Sequence, residues 1–291
     1  MIGRTRTRSA LADVLHADET ALPFGIVDLF GNDLDAYAEI ICGAGDSVTG
    51  FMTRGEGADF GDRVRVALRE LGLGQTAWDT YARLATWFEH KRIFLKVEWH
   101  RVGGGLEPLA ACYFRRRPAV ADALDQLAAA PAVRERVQAV AGALGKTSIH
   151  FVSAAFRPER PPHHKLYFSQ LAAQPRGSSA GVARVFELFG APRAQWDELH
   201  EPTLGIGERT FFVSLSYSGD RVAPSFKIDY PEVSPARAAA WRPAERAQVM
   251  REAEGACTRA GTRALSFLGV RFAPDAAAPT LKYYADVPGA S

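Results

Sequence analysis

The chain has 291 residues, with 35 Lys and Arg against 33 Asp and Glu, for a net charge of +2. At 47% hydrophobic and 23% charged residues the composition is that of a globular protein rather than a disordered one, and so small a charge leaves no basic stripe to coat a nucleic acid. No run of about 18 apolar residues offers a membrane span; the basic stretch from Met1 to Arg8 has no apolar h-region behind it; and Cys42, Cys112 and Cys257 are too few and too far apart for a disulfide framework or a zinc ribbon. The expectation is a reduced, cytoplasmic protein with no nucleic-acid and no membrane partner.

The first sixty residues are weakly patterned, with Ile26 to Leu29 and Ser47 to Thr53 as candidate strands. Helical spacing follows over Asp62 to Leu71 and Ala77 to Phe88. His90 to Arg101 (HKRIFLKVEWHR) then alternates with period two, Gly103-Gly104-Gly105 offers a turn, and Leu109 to Phe114 returns as a hairpin. Pro118 and Pro131 each open a helical stretch, and Gly145 ends the second. Ser148 to Phe156 and His164 to Gln170 make another hairpin, joined by Arg157 to His163. Helices are predicted over Gly181 to Phe189 and Arg193 to His200. Thr210 to Tyr217 and Pro224 to Tyr230 flank a Ser218-Gly219-Asp220 turn. Ser234-Pro235 reads as an N-cap with a first-turn proline, and helical sequence runs on to about Ala260. Ala264 to Phe272 and Thr280 to Val287 close the chain.

The unit is strand, strand, helix, helix, repeated. The second strands of three successive units carry Lys165, Lys227 and Lys282, which are 62 and 55 residues apart. Such a period implies units stacked side by side, none able to bury its own apolar face. The fold class is α+β, and four or five hairpins suffice to close one antiparallel sheet into a barrel. Strand side chains alternate between two faces. Lys165 and Tyr167 oppose Leu166 and Phe168; Lys227 and Asp229 oppose Phe226, Ile228 and Tyr230; Lys282 and Tyr284 oppose Leu281 and Tyr283; Lys96, Glu98 and His100 oppose Leu95, Val97 and Trp99. Amphipathic helices would cover the apolar faces, leaving the Lys/Tyr faces in the lumen. Any one such lysine reads more readily as a solvated residue on the outer face of an open sheet. Several together suit an enclosed anion such as a phosphate or diphosphate, because confined ammonium groups need a counter-charge. No GxxxxGK[ST] loop and no DDxxD-like cluster occurs, so neither a P-loop nor a metal-cradled diphosphate of the terpene-synthase kind is expected.

The segment KTSIHFVSAAFRPERPPHHKLYFSQLAAQ, from Lys146 to Gln174, resembles the soluble aromatic prenyltransferases of the ABBA, or PT-barrel, fold. Lys165, Tyr167, Phe168, Ser169 and Gln174 stand in that family's strand pattern. FFVSLSYSGDRVAPSFKIDY and LGVRFAPDAAAPTLKYYADV resemble its later hairpins, with Lys227 and Lys282 as the inward cations. The likeness runs from about Arg92 to the end of the chain, and the length suits the bacterial branch better than the longer fungal enzymes. It implies a single domain over residues 1–291, a ten-stranded antiparallel β-barrel of repeated ββαα units ringed by helices. It further implies a monomer that moves a dimethylallyl or geranyl group from an isoprenoid diphosphate (DMAPP or GPP) to a small aromatic acceptor by electrophilic substitution. Lys165, Lys227 and Lys282 match the diphosphate-binding cations, with Lys96 and Arg54 as further candidates. Tyr167 and Tyr284 match the tyrosines that shield the allylic cation. Tyr113, Phe212, Ser214 and Ser216 are acceptor-side candidates. Glu98 is a candidate to orient the acceptor or take its ring proton, or else a lumen ion-pair partner of Lys96 or His100. The family's inward lysine near Leu109 to Cys112 is missing, and a serine replaces its tyrosine on Phe212 to Tyr217. No aspartate matches the Mg²⁺-holding position of the first repeat, so no cofactor is expected to be required, with Mg²⁺ left possible. Two alternatives stay open: a non-catalytic barrel for an amphipathic anion, and an enzyme of this fold turned to another acceptor such as a peptide side chain.

Overall fold

The computed structural model describes residues 5–9, 24–43, 48–102, 105–171, 175–192, 194–195, 210–276 and 278–287. Ten antiparallel strands close into a barrel in the order β1-β10-β9-β8-β7-β6-β5-β4-β3-β2. They are β1 (Ala38–Gly43), β2 (Val48–Gly55), β3 (Ile93–Val102), β4 (Gly105–Phe114), β5 (Phe151–Phe156), β6 (His163–Leu171), β7 (Thr210–Ser218), β8 (Arg221–Val233), β9 (Leu265–Phe272) and β10 (Thr280–Asp286). Sequential strands pair as hairpins, and β1 pairs with β10 from Glu39↔Asp286 to Gly43↔Lys282 to seal the sheet. Closure leaves no free edge.

Helices follow each hairpin but the last, and their sequences carry one apolar stripe. In α3 (Gly57–Glu70) the buried positions are Phe60, Gly61, Val64, Ala67 and Leu68. In α6 (Pro131–Ala143) they are Val133, Val137, Val140 and Ala141, behind a first-turn proline. In α9 (Arg246–Ala260) they are Val249, Ala253, Ala256, Cys257 and Ala260, and the helix stops at Gly261 in the left-handed conformation, φ 75°. These stripes meet the outward strand residues: Phe186 of α7 (Pro175–Phe189) lies 4.8 Å from both Phe226 and Phe272, and Phe88 stacks on Phe114 at 5.3 Å. The hydrophobic core is therefore a shell between barrel and helices, holding Leu95, Val97, Leu166, Phe168, Ile228, Tyr230, Leu281 and Tyr283. The inward residues are left to a polar lumen.

The hairpins and most helices stand where the periodicity put them, and Ser234 does cap α8 (Pro235–Ala238), accepting a hydrogen bond from the Arg237 N–H. Two expectations need correcting. Ile26 to Leu29 is not a strand but part of α1 (Phe24–Leu29), followed by α2 (Gly31–Ala36); the first strand is Ala38–Gly43. A four-residue apolar run fits either period, and here Ile26, Val27, Phe30 and Leu34 are all buried at helical spacing. The helical stretch ending at Ala260 is also not continuous, since 3₁₀ turns at Ala239–Trp241 and Pro243–Glu245 separate α8 from α9. Pro243 has no N–H to continue a helix. Most of the helix expected over Arg193 to His200, and two glycines of the Gly103-Gly104-Gly105 turn, lie outside the described residues.

Candidate active site in the barrel lumen

Inward positions on adjacent strands are linked by register. Lys165 lies opposite Ser153 and Ser216, Lys227 opposite Ser214 and Arg271, Lys282 opposite Gly43 and Gly269, and Lys96 opposite Met52 and Ala111. Small residues thus flank most of the lysines and keep the lumen from filling. Gly269 makes room for Lys227: a Cβ there would overlap Cε and Nζ of that side chain.

The four lysines converge on three tyrosines. Lys96 Nζ sits 5.9 Å from the Tyr113 ring centre, Lys165 Nζ 5.2 Å from that of Tyr167, Lys227 Nζ 4.7 Å and Lys282 Nζ 6.0 Å from that of Tyr284. Lys227 Nζ donates to Tyr284 Oη at 2.9 Å, and the Tyr113 and Tyr167 rings are 5.8 Å apart. Two carboxylates are interleaved. Glu98 bridges Lys282 and Lys96, the latter at 3.2 Å, and has His100 Nε2 at 3.5 Å. Asp229 pairs with Lys227. Lys165 has no carboxylate within ion-pair distance among the described residues.

Crowding sets the protonation. Burial pushes Lys165 well below the usual lysine range, and the neighbouring Lys227 charge adds to this. Burial also lowers Lys227 and brings Lys282 down to about 7, against the pull of Asp229 and Glu98 respectively. At Lys96 burial is the largest influence, but Glu98 and Tyr113 together more than offset it and raise the group. Glu98 is buried, yet Lys282 and Lys96 hold it well below the carboxylate range. Burial raises Tyr167 and Tyr284, so both stay protonated donors.

Above this cluster a cavity of about 590 Å³ opens at the rim where odd strands begin and even strands end. Tyr113, Tyr167, Tyr284, Lys227 and Asp229 line it, together with Phe94, Phe151, Phe212, Phe267, Tyr37, Met52 and Arg54. Phe151 meets Phe94 at 6.0 Å and Phe212 at 5.7 Å, edge to face. The volume and the mix of aromatic walls with a few polar groups are those of a small-molecule site.

The structure thus gathers Lys96, Lys165, Lys227, Lys282, Glu98, Tyr113, Tyr167 and Tyr284 in one lumen. Arg54 lies apart from them toward the rim, its guanidinium 5.3 Å from the Tyr37 ring centre. Phe212 is on the aromatic wall, but Ser214 and Ser216 are not: they stand across from Lys227 and Lys165, and the buried Ser214 Oγ donates to the Lys227 carbonyl at 3.3 Å. Both share the inward face of the lysines they oppose, and their depth along the barrel axis follows from strand stagger. Glu98 takes its ion-pair alternative. It is bound to two ammonium groups, which hold its carboxyl well below the carboxylate range, and it is absent from the cavity wall.

Besides the lysine-paired Asp229, the cavity is faced by the carboxyl of Glu39, which sequence reading missed. It is fully buried and accepts from Ser266 Oγ at 2.8 Å through Oε1, with the Tyr37 hydroxyl and the Asp286 carboxyl interacting with it as well. Burial and the adjacent Asp286 raise it to about 8, and Asp286 is itself raised by burial. The two lie in register across the β1–β10 seam, so the pair retains a proton near neutrality. The available signal was one glutamate in an otherwise apolar strand, AEIICG, obscured because the first strand was placed too early. As for a metal, no three His, Cys, Asp or Glu side chains converge among the described residues, and Glu98 and Asp229 are already engaged by lysines, so no step below runs through one.

No protein-family model matches the chain, and no curated protein sequence does. Solved structures do. The 5-dimethylallyltryptophan synthase of Streptomyces coelicolor superposes with a TM-score of 0.62 at 14% identity, covering 99% of this chain and 97% of that one. The 6-dimethylallyltryptophan synthase of Micromonospora olivasterospora, in complex with DMASPP and Trp, gives 0.68 at 13% identity, covering 98% and 97%. AnaPT of Neosartorya fischeri gives 0.59 at 11%, covering 100% and 95%. The chain has the ABBA, or PT-barrel, fold. In a PT barrel the lumen is the one enclosed space that every strand reaches, which is why residues from β2, β3, β4, β6, β8 and β10 meet here. No helix among the described residues is long and apolar enough to cross a membrane.

Proposed function

We propose that this barrel is an aromatic prenyltransferase: it transfers a dimethylallyl or geranyl group from an isoprenoid diphosphate to a small aromatic acceptor by electrophilic substitution. The observation that carries the reading is the convergence of four lysines and three tyrosines at the base of an aromatic-walled cavity.

Lys165, Lys227 and Lys282, with Lys96 behind them, receive the diphosphate. As the allylic C–O bond breaks, its electron pair goes to the leaving diphosphate oxygen. Preorganised ammonium and phenol groups stabilise that charge at a site sheltered from bulk water. Tyr113, Tyr167 and Tyr284 turn ring faces toward the allyl cation and exclude the water that would quench it. The acceptor stacks among Phe94, Phe151, Phe212 and Phe267, and its ring electrons form the new C–C bond. The ring proton then leaves to the Glu39–Asp286 pair, which near neutrality holds one proton and keeps one carboxylate free to take up another; burial leaves that carboxylate a better base than Glu98.

Incubation with dimethylallyl and geranyl diphosphate and a panel of phenols, naphthalenes and indoles, with mass detection of products, tests this. A product heavier by one prenyl unit is expected, with turnover falling at least about 100-fold in Lys282→Ala. Tight diphosphate binding without turnover across the panel would instead identify a binding barrel, and unchanged diphosphate affinity in both Lys165→Ala and Lys282→Ala would overturn the site.

A further inference from the structure

The cavity mouth carries a second set of charges that the lumen chemistry does not use. Arg115 and Arg117 follow the end of β4, and Lys146 precedes β5; all three line the same cavity. Arg116, between the two arginines, pairs with Glu89 at 3.0 Å. Arg115, Arg117 and Lys146 have no carboxylate within ion-pair distance among the described residues. Arg115 lies over the Phe151 ring, 5.7 Å from its centre, so its charge is held against the aromatic wall. Beside it the buried His150 lines the cavity with Nδ1 lacking any hydrogen-bond partner. Its ring is 4.7 Å from Phe151 and 4.9 Å from Phe212. Burial and the two arginines lower His150 to about 4, so near neutrality it is an uncharged ring able to donate one hydrogen bond.

The rest of the wall has little to balance these cations. Its carboxyls are Glu39, which keeps a proton with Asp286, and Asp229, which is paired with Lys227. A planar fork of N–H groups next to an aromatic wall matches a carboxylate attached to an aromatic ring. An α-ammonium would meet only like charges at that end.

We propose that the acceptor is an aromatic carboxylic acid without a free α-ammonium group, its carboxylate seated by Arg115, Arg117, Lys146 and His150 at the cavity mouth while its ring lies on Phe151 and Phe212. This rests on the prenyltransferase reading and narrows its acceptor class. It also separates this chain from the neighbours crystallised with tryptophan.

Equilibrium binding to the full chain, with dimethylallyl thiolodiphosphate present, tests it without requiring turnover. The probes are propanoic acids bearing an indole, a naphthalene and a phenol, each beside its methyl ester, and L-tryptophan beside indolepropanoic acid. At least one acid should bind about 10-fold tighter than its ester, with the margin shrinking as salt rises. L-Tryptophan should bind at least about 5-fold more weakly than indolepropanoate. In Arg115→Gln/Lys146→Gln, checked for folding by its thermal melt, the acid-to-ester ratio should fall toward one. Esters binding as well as acids on all three skeletons, no acid binding at all, or L-tryptophan equalling its ammonium-free analogue would overturn the proposal. Prenyl transfer without acid preference sinks the acceptor class alone, whereas acid preference without transfer sinks the prenyltransferase reading alone.

Discussion

Lys165 differs from the other lumen lysines in having no carboxylate within ion-pair distance among the described residues, and burial with Lys227 nearby pushes its ammonium well below the usual range despite the opposing pull of Asp229. It keeps some exposure to the lumen, so the effect on stability is smaller than full burial would give. Below its folded pKa the charged form is present in both folded and unfolded chains and the native state is destabilised in full. Between that pKa and about 10.4, the unfolded value, the unfolded chain binds more protons, so the destabilisation fades as pH rises. Lys165→Met should therefore raise stability by about 1 kcal/mol at pH 6, by less at pH 9, and weaken diphosphate binding at least about 10-fold; urea titrations at the two pH values and calorimetry with inorganic diphosphate check this. Glu98 is the opposite case. Glu98→Gln leaves Lys282 and Lys96 without their counter-charge and should cost about 3 kcal/mol, read from the urea midpoint. Lys282 sits at about 7 and must be protonated to hold an anion. Diphosphate affinity should be highest below pH 7 and fall between pH 7 and 9, measured by calorimetry across that range.

Elements position these groups through what they leave out as much as what they carry. Lys227 has its place because Gly269 on β9 has no Cβ. Gly269→Ala should displace the ammonium from Asp229 and Tyr284 and weaken diphosphate binding several-fold while the barrel stays folded, since the overlapping atoms are the end of a flexible side chain. Gly50 on β2 differs: a Cβ there would overlap the Val97 carbonyl oxygen of β3, which is backbone. Gly50→Ala should therefore loosen the β2–β3 pairing and cost about 2 kcal/mol in the urea midpoint. Period-two alternation made the inward faces of β3, β6, β8 and β10 legible, because the lysines interrupt otherwise apolar strands. It was silent on β1: the four residues IVDL, which lie in α1, fit either period, and the real strand, AEIICG, shows burial on both faces. Glu39 was missed for that reason.

Across the whole molecule the seam between β1 and β10 joins residues almost the full chain apart. It puts Lys282 within reach of Glu98 and supports the Glu39–Asp286 pair. Ile41→Pro, in register with Tyr284, removes a ladder hydrogen bond inside this seam and should cost about 3 kcal/mol or more. Diphosphate binding should be lost with it, because Lys282 and Tyr284 lie on the loosened strand; a melt followed with and without diphosphate reads both effects. By itself the sequence determined the repeated hairpins, which faces turn inward and which cations they carry, because alternation and helical spacing are local properties of a chain. Only the tertiary structure decided how the charges are shared: that Glu98 serves two lysines from different strands, that Lys165 has no ion-pair partner among the described residues, that Ser214 and Ser216 stand beside lysines rather than the aromatic wall, and that Lys146 joins Arg115 and Arg117 at the cavity mouth. Those facts depend on strand stagger and on closure, and both follow from pairings between segments that no local pattern relates.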